Sequence, residues 1–426
     1  MIPKSFLNLS EFSKNVLKLL SSTVIASAVG LLTLPIITNI FAISDLGRYQ
    51  LLVSIIGMLG VVASLRYDMA IILPKEDSEA SEIFKLSFFV LVGVTLLSAV
   101  VFYFFRYPLL TLLNAVELID IALLIPVGVF FYGLMEIIKY GLVRKKKFSE
   151  FALVRVFQVS TTQFSAIGFG WFYPDFFTLV GSYIFGFLIA SILYINKSII
   201  TVHEKTTHSI KNVALKYKKF PLINSSMVFL NTLSIELPVF FIAKYFSMEM
   251  VGLYMLANRL SIIPMNLIGT AVNKVYLQKA TETFNKNPEK LFSVYKQTVK
   301  RLFLLGLIPF IIILFFAPLL VRIIFGNEWI FSGTIMQILA LGVFLKFSTS
   351  PISTTFTIVN KQETALYLTI VSLAVRFGSM YYFRSEIESL LWALTLSTAL
   401  FYLVYNLFTY RVILLETRKI KNNVIK

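Results

Sequence analysis

The sequence has no cysteine and few charged residues, and these two deficits already narrow the class of protein. Without cysteine, the 426-residue chain has no disulfide, no thiolate nucleophile and no cysteine metal site. Only 14% of the residues are charged, against roughly 25% in an ordinary soluble domain, whereas 57% are hydrophobic. The hydrophobic residues fall in runs of about twenty, long enough to cross a bilayer as helices. A soluble enzyme, a disordered chain and a disulfide scaffold are therefore excluded.

Several signatures of catalysis are also missing. The two histidines, His203 and His208, lie in a polar segment and are interpreted as solvated side chains rather than metal ligands. The sequence has neither a phosphate-binding Gly-x-x-x-x-Gly-Lys-Ser/Thr loop nor a Gly-x-Ser-x-Gly nucleophile motif. The carboxylates at 76–79 fall in a short connection, which favours solvation over acid–base catalysis. We predict that the protein is not an enzyme and has no metal or cofactor, leaving an ion gradient or the membrane potential as driving force.

Twelve apolar segments predict an all-α integral membrane protein with about 12 transmembrane helices. The predicted spans are 15–41, 47–73, 83–105, 118–138, 151–171, 176–195, 220–246, 251–277, 302–321, 330–358, 364–383 and 390–414. No connection between them has room for a folded domain outside the membrane.

The arrangement of the spans predicts five regions. Residues 1–14 form an amphipathic N-terminal segment on the membrane surface, because apolar residues recur there at helical spacing. Residues 15–195 form an N-lobe of six spans and 220–414 a C-lobe of six. A cytoplasmic linker at 196–219 joins them, and 415–426 is a basic cytoplasmic tail.

Basic residues are distributed unevenly between the two sides of the predicted membrane. If the N-terminus is inside, about 30 of the 39 Lys and Arg residues fall in inner segments and about five in outer ones. Both termini are therefore predicted to be cytoplasmic. Most of the +17 net charge then sets orientation and contacts anionic membrane lipids, and we predict no nucleic-acid partner.

Two short motifs recur nearly half the chain apart and indicate an internal repeat. A Gly-x-Tyr motif begins at Gly47 and again at Gly252, and each follows a span that contains a Leu-Pro pair, with Pro35 and Pro238. Six spans per half predict two lobes related by a pseudo-twofold axis along the membrane normal. Proline interrupts helical hydrogen bonding, so we predict that both prolines interrupt their helices and act as hinges.

Four ionisable residues lie deep within predicted spans. Arg259, Lys346 and Arg376 are cations, and Glu236 is the single deep anion. Charges at this depth indicate function, and an excess of cations attracts an anionic substrate such as a phosphate or pyrophosphate headgroup. The alternative is structural pairing, for example of Glu236 with Arg259. Glu236 is also a candidate for ion coupling.

A second charged group lies near the inner end of the second predicted span. Arg66 and Asp68 are two residues apart, so on a continuous helix they would point to different sides and not face each other. Arg66 is then predicted to point into a substrate path while Asp68 pairs elsewhere or couples an ion. Glu136 and Lys139 are three apart on one helix and are predicted to form a local ion pair.

Two segments resemble a known family. Asp-Leu-Gly-Arg-Tyr at 45–49, and the stretch 65–80 that begins Leu-Arg-Tyr-Asp-Met-Ala, are similar to segments of polysaccharide-export flippases. The whole chain resembles Wzx-type O-antigen and capsule-unit flippases of the multidrug/oligosaccharidyl-lipid/polysaccharide exporter superfamily. Arg66 lies in the second matched segment.

The resemblance implies a MATE-like flippase fold and a substrate. Such proteins move undecaprenyl-pyrophosphate-linked repeat units from the inner to the outer leaflet of the bacterial plasma membrane, by alternating access through a cationic cavity. It also implies polysaccharide polymerase machinery as a partner. The alternatives are a multidrug–cation antiporter of the same superfamily, a membrane enzyme of glycan assembly, and a non-transporting scaffold of that machinery.

Overall fold

A computed structural model describes residues 11–200, 209–359 and 361–424. Within these ranges the side chains of residues 11–21, 264, 266 and 418–424 are not described. Most of the predicted amphipathic segment at 1–14 and both histidines, His203 and His208, therefore lie outside the described residues.

The described residues are almost entirely helical, which confirms the predicted all-α fold. The helices are α1 (Glu11–Leu32), α2 (Leu34–Ile40), α3 (Ile43–Gly60), α4 (Tyr67–Ala70), α5 (Asp77–Leu112), α6 (Leu124–Arg144), α7 (Phe148–Gly170), α8 (Phe176–Ser198), α9 (Ile210–Lys216), α10 (Ser225–Tyr245), α11 (Met248–Lys286), α12 (Leu291–Phe325), α13 (Ile330–Thr349), α14 (Thr355–Ile358), α15 (Gln362–Tyr382) and α16 (Ile387–Val424). Each of the twelve predicted spans coincides with one of these helices or with two in succession.

Ten helical segments of the described chain are long and apolar enough to cross a membrane. The second and fifth predicted spans are also helical but do not belong to this set. The second span contains α3, whose first half carries the polar residues Asp45, Arg48 and Gln50. The fifth is α7, whose middle carries a run of Gln, Ser and Thr between Gln158 and Ser165. Polar residues within α7 reduce its hydropathy and point to a helix that packs against protein rather than lipid alone.

The chain divides into two compact units, Met1–Gly252 and Leu253–Lys426. In the first unit, α6 packs against α3, α5 and α8, while α7 packs against α1 and α8. The centre of this unit is built from fully buried aliphatic side chains such as Leu52, Ile56 and Ile138. The two six-span lobes at 15–195 and 220–414 stay a prediction, because the boundary between the compact units falls near the start of α11.

The second unit is built around α13. This helix packs against α12 and α16, and α15 packs against α16. A core cluster that includes Tyr276, Tyr295, Phe347 and Ile413 fills the space between these helices. Tyrosine hydroxyls within the cluster have hydrogen-bond partners, as buried polar groups require.

The two Gly-x-Tyr motifs meet in space. A Cβ on Gly47 would overlap the backbone carbonyl of Met248, and a Cβ on Gly252 would overlap the carbonyl of Ile43. The first turns of α3 and α11 therefore touch through backbone atoms on both sides. Only glycine allows so close an approach, which gives the repeated motif a packing role.

The prediction that both prolines interrupt their helices is correct at Pro35 and wrong at Pro238. The chain bends at Thr33, and Pro35 lies in the first turn of α2, where a missing N–H breaks no helical bond. Pro238 lies inside α10, which runs unbroken from Ser225 to Tyr245. The irregularity of the seventh span is a π-helical turn at Phe220–Asn224 instead. A buried helix tolerates one lost hydrogen bond when its neighbours hold it in place.

Part of the predicted linker packs within the first unit, against residues near the start of α5. Lys216 in α9 donates a hydrogen bond to Glu79 at 2.5 Å, and the Tyr67 hydroxyl donates to the carbonyl of Ala214 at 3.1 Å. The hydrogen bond to Glu79 raises the pKa of the Lys216 ammonium above its ordinary value. On the other side of residues 201–208, Ser81 donates to the carbonyl of Ile200 at 3.3 Å.

Candidate functional site

Arg66 and Asp68 face each other, so the prediction that they point apart was wrong. Arg66 Nη1 and Asp68 Oδ2 are 3.7 Å apart, and both side chains are buried. The reason is a break in the helix at residues 61–66, where Leu65 (φ 49°) and Arg66 (φ 60°) adopt left-handed conformations. Two consecutive non-glycine residues in this region are costly, which makes the turn a strained element.

Each member of this pair has further partners. Asp68 is fully buried, and its Oδ1 accepts a hydrogen bond from Ser64 Oγ at 2.7 Å. Arg66 donates to the carbonyl of Val61 at 3.2 Å and to the Tyr140 hydroxyl at 3.3 Å. Arg66 Nε and Asp68 Oδ2 form no hydrogen bond in the described residues. The pair is thus a buried charge centre with unused hydrogen-bonding capacity.

Glu236 in α10 contacts α3 through a serine. Its Oε2 accepts a hydrogen bond from Ser54 Oγ at 2.5 Å, and Ser54 Oγ accepts one from Gln50 at 3.1 Å. Gln50 and Ser54 both lie on α3, so this chain of hydrogen bonds joins α3 to α10. The predicted pairing of Glu236 with Arg259 and its role in ion coupling stay predictions.

The local pair of Glu136 and Lys139 is confirmed by a direct ion pair between them. It lies on α6, one turn before the Tyr140 that contacts Arg66. Glu136 is therefore paired with its own helix neighbour, and no direct bond joins it to Arg66 among the described residues.

The other predicted cations lie in the second unit. Lys346 in α13 and Arg376 in α15 are each half-buried and lie within electrostatic range of one another. Arg376 also interacts electrostatically with the tyrosines Tyr254 and Tyr402. Arg259 in α11 is half-buried, and the described residues of the second unit provide no ion pair for it. The sequence thus predicted two cations that the fold places near each other, in a region rich in tyrosine.

Lys346 lines a cavity of about 300 Å³. All described lining residues belong to α11, α13 and the segment that follows α13: Ile262, Met265, Gly269, Thr270, Asn273, Val343, Lys346, Phe347, Ser350, Pro351 and Ser353. The lining combines apolar walls with hydroxyl and amide groups, and Lys346 is its one charged member. Such a mixture of apolar walls and a few polar groups is typical of ligand sites.

The predicted span 330–358 is broken at this cavity. The α-helix ends at Thr349, a 3₁₀ turn follows at Ser350–Ile352, and α14 begins at Thr355. Pro351 was the available sequence signal for this break, because proline cannot donate a helical hydrogen bond.

Four side chains hold the broken segment from two neighbouring helices. From α11, Asn273 donates to the carbonyl of Pro351 and Tyr276 bonds Thr355, both at 2.6 Å. From α16, Asn406 donates to Thr349 at 2.6 Å and Tyr405 donates to the carbonyl of Ser353 at 3.4 Å. These polar residues were not singled out from the sequence, since asparagine and tyrosine at span ends resemble ordinary interface residues.

The fold and the buried charges together define a class. The described chain has ten apolar helices of spanning length, charges inside several of them, and the fold of transporters of the MOP superfamily. The protein is therefore a multi-pass membrane protein with a transporter fold.

Solved structures show this fold over almost the full chain. Lipid II flippase MurJ in an inward closed conformation is 14% identical, covers 97% of this chain and 99% of its own, and has a TM-score of 0.71. An inward-facing multidrug resistance MATE family transporter is 17% identical, covers 95% and 96%, and has a TM-score of 0.67. A MOP superfamily transporter from Pyrococcus furiosus, described by a reverse polarity of its binding pocket, is 16% identical, covers 95% and 96%, and has a TM-score of 0.56.

The sequence itself identifies the family. Residues 36–333 match the family described as polysaccharide biosynthesis protein, so the chain belongs to that family. No curated protein sequence matches the chain. The resemblance to polysaccharide-export proteins noted from segments 45–49 and 65–80 is confirmed at the level of this family.

Proposed function

We propose that the protein is a flippase for lipid-linked oligosaccharides, which moves undecaprenyl-pyrophosphate-linked O-antigen or capsule units from the inner to the outer leaflet of a bacterial plasma membrane. Both termini are cytoplasmic in this proposal. The cations Arg66, Arg259, Lys346 and Arg376 contact the anionic headgroup during alternating access, and Pro35 and Pro238 act as hinges. Glu236 and Asp68 are the candidates for ion coupling or structural pairing, and a polymerase is the expected partner.

One observation carries the proposal: half-buried cations lie together within a transporter fold whose family belongs to polysaccharide biosynthesis. Lys346 and Arg376 share one region of the second unit, and no ion pair joins Lys346 to a carboxylate in the described residues. An uncompensated positive charge within a membrane protein attracts an anion. A diphosphate carries the negative charge that fits such a site, and guanidinium groups bind its oxygens in pairs.

The multidrug–cation antiporter is the second candidate. It would bind a cationic substrate and would need acidic side chains where this chain has Lys346 and Arg376. The Ser54–Glu236 contact is the observation in its favour, because a carboxylate within a transporter can exchange protons. The excess of cations in the second unit favours the flippase.

Glycan display in a deletion strain tests the proposal. We expect the strain to accumulate lipid-linked repeat units on the inner side and to lose surface glycan, and wild-type protein to restore both. Arg259→Ala is expected to lower the rate of display by about 10- to 100-fold, because one charge-assisted phosphate contact contributes about 1.5–3 kcal/mol. The exposed Arg322→Ala is the matched control, and membrane levels of each variant are measured by immunoblotting.

Two results would contradict the proposal. Normal glycan display in the deletion strain would contradict the proposed flippase function, and an accompanying rise in drug sensitivity would favour the antiporter. Normal display with Arg259→Ala at wild-type protein levels would remove Arg259 from the substrate path.

A further inference from the structure

The short helix α9 is docked against the first turn of α5. The two helices pack together, the side chain of Val213 in α9 is buried, and Lys216 forms an ion pair with Glu79 of α5 at 2.5 Å. α9 has only seven residues, and an isolated helix of this length is not stable in water. Its structure therefore depends on the surface against which it packs.

A tyrosine joins α9 to the break in the second predicted span. The hydroxyl of Tyr67 donates to the carbonyl of Ala214 at 3.1 Å, and the Tyr67 side chain is buried. In a longer helix this carbonyl would accept a bond from the N–H of Lys218, but that N–H donates to the carbonyl of Leu215 instead. Tyr67 thus satisfies a carbonyl that the end of α9 leaves without a helical donor.

Tyr67 directly follows the strained turn. Leu65 and Arg66 adopt left-handed conformations with φ 49° and 60°, which are costly for residues other than glycine. Such conformations persist only when surrounding contacts hold them. The hydrogen bond of Tyr67 ties the turn to α9 and is one of these contacts.

The same segment has a second conformation available to it. Residues 61–66 contain no glycine or proline, so a continuous helix through them is compatible with the sequence. That helix would relieve the strain at Leu65 and Arg66. It would also point Arg66 and Asp68 to different sides, and their contact at 3.7 Å would be lost. Charge pairing and the bond to α9 favour the broken form, whereas backbone geometry favours the continuous form.

We infer that residues 61–70 form a two-state switch and that α9 is the latch that holds it in the broken form. While the Tyr67 hydroxyl is bonded to α9, the turn stays left-handed and Arg66 stays paired with Asp68. When α9 leaves α5, the population of the continuous helix rises and the two charges separate. Because α9 belongs to the predicted linker at 196–219, a movement of the linker is transmitted to a buried charge pair.

Thiol reactivity tests the latch, because the chain has no cysteine and an introduced thiol is the only one present. Ala70 in α4 is fully buried, and Ala70→Cys is the reporter in the purified full-length protein in nanodiscs. Conversion of the turn moves α4 out of its packing against α5 and α6. The rate of reaction with methyl methanethiosulfonate then reports the population of the opened form. Met69→Cys, half-buried on the same helix, is a second reporter.

Removing the hydroxyl of Tyr67 releases the latch with little change in side-chain volume. We expect Tyr67→Phe to raise the rate at Ala70→Cys by about 3- to 10-fold, because one hydrogen bond of the broken form is lost.

The strained turn supplies a variant with the opposite effect. Asparagine adopts left-handed conformations more readily than leucine, so Leu65→Asn favours the broken form. We expect this variant to lower the rate at Ala70→Cys by about 3- to 10-fold. Combined with Tyr67→Phe, it is expected to return the rate to near the wild-type value.

The ion pair of α9 allows a matched comparison of two lysines. Lys216 and Lys85 are 59% and 52% exposed, and they pair with the buried Glu79 and Glu82 of α5. Lys216→Met removes a contact of α9, whereas Lys85→Met removes a contact within α5. We expect the first variant to raise the reporter rate by about two- to fivefold and the second to leave it unchanged.

A reporter on another helix separates the latch from general destabilisation. Ala166 in α7 is also buried, and the rate at Ala166→Cys is expected to be the same with and without Tyr67→Phe. Equal acceleration at Ala70→Cys and Ala166→Cys would overturn the latch. So would an unchanged rate in both Tyr67→Phe and Lys216→Met, or a faster rate in Leu65→Asn.

The thiol measurements involve no transported substrate, so their outcome is separable from the proposed function. Loss of glycan display in the deletion strain together with unchanged thiol rates would keep the flippase and remove the latch. Normal display together with the expected changes in rate would keep the latch and remove the flippase.

Discussion

Replacing Arg66 by methionine isolates the energetic role of the buried charge pair. Asp68 is fully buried, and its Oδ2 lies 3.7 Å from Arg66 Nη1 and accepts no hydrogen bond from the part of the chain that the structure describes. At that distance, and with an effective dielectric constant of about 20, the attraction between unit charges is about 4 kcal/mol. Removing one partner of such a pair leaves an uncompensated buried charge, which costs about 3–5 kcal/mol.

The expected loss is a large fraction of the stability of a domain and is measurable by thermal unfolding. We expect Arg66→Met to lower the midpoint of helical circular dichroism in detergent by roughly 6–20 °C, using about 2–4 °C per kcal/mol for a unit of this size. The double variant Arg66→Met/Asp68→Asn is expected to recover at least half of this loss. Asparagine keeps an acceptor for Ser64 Oγ and removes the unpaired charge.

A double-mutant cycle tests whether the charges of Arg66 and Asp68 are energetically coupled. If the losses of the two single variants add within about 0.5 kcal/mol, the two charges are not coupled and the pair has no energetic role. Lys286→Met is the matched control, because it also removes the cation of an ion pair, but Lys286 and Glu282 are 76% and 60% exposed. Exposed pairs contribute about 0–1 kcal/mol, so this variant is expected to unfold near the wild-type midpoint.

Two further predictions concern backbone geometry. Lys146 follows the end of α6 by two residues and has φ 57°, and its N–H and that of Lys147 donate to the carbonyls of Val143 and Leu142. Lys146→Gly is therefore expected to stabilise the protein by up to about 1 kcal/mol, and a lower unfolding midpoint would contradict this account of the helix end. Gly47→Ala is expected to destabilise the protein because its Cβ has no space, whereas Gly57→Ala on the same helix, with open space, is expected to stabilise it by about 0.5–1 kcal/mol. Equal midpoints for these two alanine variants would refute the close backbone contact.

The positions of the helices were predictable from the sequence because the membrane leaves few alternatives. Inside a membrane no water is available to bond the backbone, so a chain segment must satisfy its own hydrogen bonds and a long apolar run becomes a helix. The interruption at 61–66 was missed for a physical reason: Leu65 and Arg66 occupy left-handed conformations that glycine or asparagine normally adopts. The sequence there carries no turn signal.

The candidate site was predictable in its charges but not in its geometry. Depth in a span identified Lys346 and Arg376, which the fold brings near each other. Arg66 and Asp68 face each other because of the turn at residues 61–66, which the sequence did not predict. Hydrogen bonds between helices, such as that of Asn406 with Thr349, follow from tertiary packing. Local spacing does not encode contacts between residues 57 positions apart.

The contact between Gly47 and the start of α11 has a mechanical consequence. Because backbone atoms of both helices already touch, with Gly252 meeting the carbonyl of Ile43 in return, the tightest contacts involve no side chain that could change rotamer. Repulsion between atoms rises steeply at this separation, so the first turns of α3 and α11 cannot approach further. The two glycines act as a rigid stop, and any movement of these helix ends relative to each other must begin as a separation.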